Sequence, residues 1–121
     1  MNIGLCSGRH VMKTNEGEEM AMFVFDVVDN PTAIDVHEKV CRDFIKSMLH
    51  PVLFVYEGWK GHPEYDSVNL YITGLTPLLT SFLKCWLEQQ ERIEMSGINL
   101  VLWHWDTETK QYIPQQWAMI T

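Results

Sequence analysis

The chain has 121 residues, the size of one domain, and its 46% hydrophobic content is that of a folded globule. Sixteen acidic and nine basic residues give a net charge of −7, so the excess of Lys and Arg that draws proteins onto duplex nucleic acid is absent. Cys6, Cys41 and Cys85 have no C-x-x-C spacing, which predicts reduced thiols in a cytoplasmic protein without structural zinc. Neither a signal peptide nor a membrane-spanning helix is predicted.

The first part of the chain predicts two strands separated by a polar segment. Residues 2–7 are short, mainly apolar and followed by Gly8, which is typical of a strand that ends in a loop. Residues 13–19 are polar and predict a loop or a hairpin. Residues 22–28 are rich in β-branched and aromatic side chains, which favour a strand.

A helix is predicted to follow the second strand. Thr32 and Asp35 have the spacing of a capping box, and apolar residues recur every three or four positions after them. Pro51 is expected to end this helix, because proline lacks an N–H and clashes with the preceding turn. Residues 53–56 are a candidate short strand, and the glycines and proline of residues 57–66 indicate a surface loop.

The second half begins with a strand over residues 67–73, which Gly74 breaks. Thr76 is predicted to cap a second helix, with Pro77 at its first position. Apolar residues with a helical period over 78–87 give this helix one buried face.

Residues 98–105 are too continuously apolar for a sheet covered on one face, which predicts a strand covered on both faces. Residues 106–110 predict a turn, and residues 111–117 return as an antiparallel edge strand, where Pro114 is tolerated. Strands that alternate with two helices predict an α/β fold. The chain is therefore expected to form a single small Rossmann-like domain over residues 1–121, with a mostly parallel sheet and a C-terminal antiparallel hairpin.

Polar breaks interrupt the predicted strands at their carboxyl ends, in the segments 7–10, 73–76 and 104–107. Open parallel sheets bind ligands in the crevice beyond these ends. Thr73-Gly74-Leu75-Thr76 joins a buried strand to a helix start, where N–H groups, hydroxyls and the helix dipole face an anion. A simple turn at Gly74 and a simple cap at Thr76 explain the same residues equally well.

The run VNLYITGLTPLLTSFLKCWLEQQ, followed by INLVLWHWDTETKQYIP, resembles the second half of CARF domains, the Rossmann-like sensors of CRISPR systems. Their pattern is a strand with N-x-T-G-G-T-K, a helix, a strand that ends near Y-x-D-T, and a hairpin. The matching residues are Asn69, Thr73, Gly74, Thr76, Asp106 and Thr107. Leu75 stands where the family has its second glycine, and Pro77 where it has a lysine.

The resemblance implies a homodimer that binds a cyclic oligoadenylate across its two-fold axis. Ring-nuclease members of the family cleave this ligand without a metal, by driving a ribose 2′-hydroxyl onto the adjacent phosphate. No cofactor or metal is therefore expected, and the net charge and the lack of a long apolar run already predict that neither duplex nucleic acid nor a membrane is a partner. The predicted ligand-binding residues are Ser7, Gly8, Asn69, Gly74, Leu75, Thr76, Asp106 and Thr107.

The candidate catalytic residues follow the first strand. Arg9 can pair with a phosphate through two N–H groups, and His10 can act as a general base near neutral pH. A solvated basic turn is the competing interpretation of both. The predicted catalytic residues are Arg9, His10 and Thr73.

Other polar and aromatic side chains have simpler interpretations. His104 is expected to be a hydrogen-bonded core histidine, and Asp106 also fits an ordinary turn. His37 and Cys41 lie four residues apart, but zinc needs a third protein ligand, so core packing is the better account. A lid that stacks on adenine is one hypothesis for Trp59, Lys60 and His62, and a subunit contact is the other.

A function from another class competes with nucleotide binding. The same α/β domain can serve as a non-enzymatic module that sequesters a nucleotide or binds another protein. Its tryptophans would then pack the core and a subunit interface.

Overall fold

A five-stranded sheet forms the centre of the computed structural model, which describes residues 1–7, 12–55, 67–73, 75–90 and 99–118. The strand order is β2-β1-β3-β4-β5; β1 to β4 are parallel, and β5 is antiparallel to β4. The predicted α/β Rossmann-like fold with a C-terminal antiparallel hairpin is confirmed. The strands are β1 (Asn2–Cys6), β2 (Phe23–Phe25), β3 (Ser67–Tyr71), β4 (Asn99–Asp106) and β5 (Gln111–Ala118), and the helices are α1 (Ile34–Val55) and α2 (Thr76–Gln90).

The two helices lie side by side and cover one face of the sheet. Alternate strand residues point to one face, so Ile3 and Leu5 of β1, like Val68 and Leu70 of β3, enter this core. Full burial of each such side chain contributes about 1.5–3 kcal/mol. The largest fully buried side chains are Trp86, Phe82, Ile3, Leu5, Ile45, Leu70, Leu78 and Leu100.

The opposite face is covered by part of the β1–β2 connection. We call residues 12–20 the strap; an antiparallel bridge joins Lys13 to Glu19 within it. Met12 and Met20 of the strap are buried against Tyr71 of β3 and Tyr112 of β5. The strap therefore crosses several strands, and of the two structures predicted for residues 13–19, a loop or a hairpin, it forms a hairpin.

Asn15 ties the tip of the strap to the outer edge of β5. Its Nδ2 donates to the carbonyl of Tyr112 at 3.0 Å, and its Oδ1 accepts from the Tyr112 N–H at 2.8 Å. Backbone groups two residues apart in a strand point to the same edge, so Pro114 places its missing N–H on this outer edge as well. The edge position predicted for residues 111–117 is confirmed, and the carboxamide blocks part of that edge from further strand pairing.

Gly4 is required where β1 meets β2 beneath the strap. A Cβ atom at this position would lie 2.5 Å from two ring atoms of Phe23. The Phe23 side chain therefore takes the space that a larger residue on β1 would fill.

The first helix departs from the sequence prediction at both ends. It begins at Ile34 after a turn in which the Asn30 side chain accepts from the Thr32 N–H, so the predicted capping box does not start it. It also continues through Pro51 to Val55, so the expected end at Pro51 and the strand over residues 53–56 are wrong. An interior proline costs about 3 kcal/mol, a local penalty that packing along a long helix can outweigh.

Replacement of Asn15 with alanine tests the role of the strap tip. Asn15→Ala leaves the N–H and C=O of Tyr112 without these partners, so the free energy of unfolding should fall by about 1–3 kcal/mol. Urea denaturation followed by circular dichroism measures the change. Glu16→Ala, on the same exposed turn, is the control, and equal stability of the two variants would contradict this role of Asn15.

Candidate functional site

The chain reverses its direction across the sheet between β1 and β3, because β1 leads to β2 on one side and the next strand, β3, lies on the other. Open α/β sheets bind ligands at this topological switch point, beyond the carboxyl ends of the strands. Here those ends are Ser7 and Thr73. We call the space bordered by Ser7, Thr73, Leu75 and Thr76 the β1–β3 crevice.

Hydrogen bonds hold three strand ends together at the crevice. The Thr73 hydroxyl donates to the carbonyl of Cys6 at 3.3 Å and so links β3 to β1. The Ser7 N–H donates to the carbonyl of Phe25 at 2.9 Å and links β1 to β2. Both links fix backbone next to Ser7 and Thr73, which are partly buried.

The start of α2 borders the crevice but offers few donors. The helix begins at Thr76, one residue earlier than predicted, and the N–H groups of Leu78 and Leu79 donate to the carbonyl of Leu75. Pro77 has no N–H. Within the described part of the first turn, the Thr76 N–H and hydroxyl are therefore the donors left for a ligand.

Asp106 uses its carboxylate within the β4–β5 turn. Oδ1 accepts from the Glu108 N–H at 3.0 Å, and Oδ2 accepts from the Thr109 hydroxyl at 2.9 Å. The Lys110 N–H donates to the Asp106 carbonyl and closes the turn, and Lys110 has a φ of 56°. Asp106 and exposed Thr107 lie at the carboxyl ends of the parallel strands, as Thr73 does. The hydrogen bonds of Asp106, however, stabilise the β4–β5 turn.

Asn69 lies inside β3, away from the crevice. Its Oδ1 accepts from the indole N–H of Trp103 at 3.1 Å, and its Nδ2 donates to Oδ1 of Asn2 at 3.0 Å. It shares the strap face of the sheet with Tyr71, because strand residues two apart point to one face. Asn69 thus joins three neighbouring strands, and sequence reasoning missed both of its partners.

Cys6 is the thiol closest to the crevice, and its surroundings suppress thiolate chemistry. Its Sγ donates to the carbonyl of Asp26 at 3.2 Å. Burial, and secondarily the Asp26 carboxylate, raise the pKa of this thiol above its ordinary value. Cys6 is therefore a protonated structural group, and no nucleophile is expected from it.

The remaining predicted site residues cannot be compared with the structure. Gly8, Arg9, His10 and Gly74 lie outside the described residues, so their roles stay predictions. Trp59, Lys60 and His62 also lie outside them. The described chain resumes at Ser67, which starts β3 at the opposite end of that strand from Thr73.

His37, Cys41 and Cys85 of the helices serve packing. His37 is buried edge-on against Phe25, and its Nε2 lies 3.0 Å from the carbonyls of Asn30 and Pro31, so that nitrogen donates. Burial raises the pKa of Cys41 to about 12, with smaller contributions from Cys85 and Glu38. Among the described residues, no group of three or more His, Cys, Asp or Glu is placed to hold a metal ion.

His104 differs from the expectation of a core histidine. Its Nε2 lies 2.7 Å from Oε1 of Gln115 in an exposed cross-strand hydrogen bond. The end of β4 carries this histidine beyond the part of the sheet that the helices bury, and no catalytic partner is needed to explain it.

Comparison with known proteins found no matching family model, no curated relative and no similar solved structure. In the described part of the chain, neither helix is long and apolar enough to cross a bilayer. The case for a function therefore depends on the geometry of the crevice.

Proposed function

We propose that this protein binds a phosphate-bearing nucleotide, with a cyclic oligoadenylate as the first candidate, in the β1–β3 crevice and in the cytoplasm. The observation that carries the proposal is the position of Thr73 and Thr76 at the switch point of the sheet, next to the start of α2. The resemblance of residues 68–90 and 98–114 to the second half of CARF domains names the candidate ligand.

The donors at the crevice define how a phosphate would be held. The Thr76 hydroxyl and N–H donate to anionic oxygens, and the dipole of α2 favours negative charge at its first turn. The Thr73 hydroxyl already donates to the Cys6 carbonyl, so Thr73 fixes the strand ends beside the phosphate. Pro77 supplies neither the charge of the family lysine nor an N–H. Asp26 and Asp106 flank the crevice with negative charge, so the proposal requires Arg9 as the cation that offsets them.

Replacement of Thr76 with valine removes a donor without changing the size of the side chain. Binding of cyclic tetra-adenylate should weaken about tenfold or more, because a hydrogen bond to a charged group contributes about 1.5–3 kcal/mol. Isothermal titration calorimetry measures this change. Thr80→Val is the matched control, since Thr80 lies one turn later on α2 and its hydroxyl bonds to the carbonyls of its own helix.

Two outcomes would contradict the placement of the ligand. One is equal binding by the Thr76→Val and Thr80→Val proteins. The other is undiminished binding by a folded Gly74→Val protein, whose added side chain should block the approach of a phosphate to the backbone.

The proposed ligand also sets the oligomeric state. A ring of repeated nucleotides suits a two-fold axis, and one small domain offers little concave surface, so two copies should share the ligand. Light scattering should then report about twice 14.2 kDa, at least with cyclic tetra-adenylate present. A monomer that binds the ring with one-to-one stoichiometry would contradict the shared site.

Cleavage of the ligand is a separable second step. A ribose 2′-oxygen attacks the adjacent phosphorus, the bond from phosphorus to the 5′-oxygen breaks, and the products carry a 2′,3′-cyclic phosphate and a 5′-hydroxyl. His10 would take the 2′-hydroxyl proton, a water molecule would give a proton to the leaving 5′-oxygen, and Arg9 would stabilise the charge on the phosphate in the transition state.

Product analysis in EDTA tests this step. Linear products that end in a cyclic phosphate should form, and Arg9→Ala should slow turnover more than it weakens binding. Lys13→Ala, which removes a basic residue of the strap, is the control. A protein that binds the ring and leaves it intact over hours would sequester the ligand without cleaving it, and the enzymatic step would be wrong.

A further inference from the structure

An apolar groove lies between β2 and the first turns of α1, on the opposite side of β1 from the β1–β3 crevice. Its volume is about 390 Å³. Val24 and Val28 line it from the β2 side, and Val36 and Val40 line it from α1. Val27 is 77% exposed and Val36 is 60% exposed, so these apolar side chains are left largely uncovered by the part of the chain that the structure describes.

The rim of this groove is negatively charged. Asp26 and Asp29 border it, and neither carboxylate forms an ion pair within the described part of the chain. Residues 14–38 carry seven carboxylates and no Lys or Arg. The other nine carboxylates of the chain are matched by its nine Lys and Arg residues, so this segment holds the whole net charge of −7.

The negative charge around the groove indicates a positively charged partner. We propose that the groove binds a basic segment of a partner protein, whose aliphatic side chains lie between Val27 and Val36 while Lys or Arg residues pair with Asp26 and Asp29. A small cation alone would leave the valines exposed. A second copy, seated with this groove on the two-fold axis, would bring the same carboxylates against each other.

The two edges of the sheet support the same assignment. Asn15 and Pro114 obstruct the outer edge of β5, whereas the groove lies along β2, the opposite edge strand. Extended peptides bind beside sheet edges, with pockets that accept alternate side chains. The partner is therefore expected to bind as an extended chain, and this site does not depend on the nucleotide proposal.

A designed peptide tests the proposal without knowledge of the natural partner. A fluorescent peptide of about ten residues that alternates lysine with leucine or valine should bind, and fluorescence anisotropy measures its Kd. Two control peptides replace either every lysine with glutamate or every aliphatic residue with serine. Neither should bind, because the groove needs both the charges and the apolar side chains.

Paired variants localise the binding. Asp26→Asn with Asp29→Asn should weaken binding about tenfold, and Val36→Ser should weaken it about fivefold or more, given the usual strength of such contacts. Asp43→Asn is the control, because Asp43 lies on the same helix, is paired with Lys39 and does not line the groove. Circular dichroism confirms that each variant is folded.

Several results would overturn the assignment. The first is that the lysine–aliphatic peptide does not bind below about 1 mM, which is the weak end of specific recognition. The second is that Asp43→Asn weakens binding as much as the groove variants do. The third is that the lysine–serine peptide binds as tightly as the lysine–aliphatic one. Self-association that Val36→Ser abolishes would identify a second copy as the occupant and would also contradict the proposal.

Discussion

A parallel sheet must be covered on both faces, and this chain provides helices for one of them. Right-handed crossovers from β2 to β3 and from β3 to β4 place α1 and α2 on the same side. The other side depends on the strap, which reaches from the β1–β2 connection to β5. The strap is too short to cover the sheet by itself, so large aromatic side chains fill the space beneath it. Gly4 leaves room for one of these, the ring of Phe23.

The sequence predicts the fold well where a pattern has one physical cause. The apolar run of β4 and the helical period of α2 both arise because their apolar side chains face the core, so both patterns predict the right element. The edge position of β5 follows from Pro114. Failures occur where a local signal competes with packing. Pro51 is a strong local signal for a helix end, but the stability of a long helix is a sum over many residues that no local motif contains.

The candidate site is only partly predictable for a related reason. Parallel strand ends meet at one edge, so the grouping of Ser7, Thr73 and Thr76 follows from chain order alone. The roles of Asn69 and Asp106 do not, because a short polar motif leaves open whether its side chains bond to a ligand or to the protein. Asn69 finds Trp103 across the sheet, 34 residues away along the chain, and sequence spacing carries no information on that contact.

The bond from the Tyr112 N–H to Asn15 makes an edge-strand amide behave as an interior one. Amides on the outer side of an edge strand ordinarily exchange their hydrogen with solvent quickly, whereas this one is held by a side chain from the far end of the chain. Its exchange rate therefore measures how often the strap lifts from the sheet. Opening of this kind would expose the ring of Tyr71 and loosen β5 in a single event, which couples the two ends of the polypeptide in one cooperative unit.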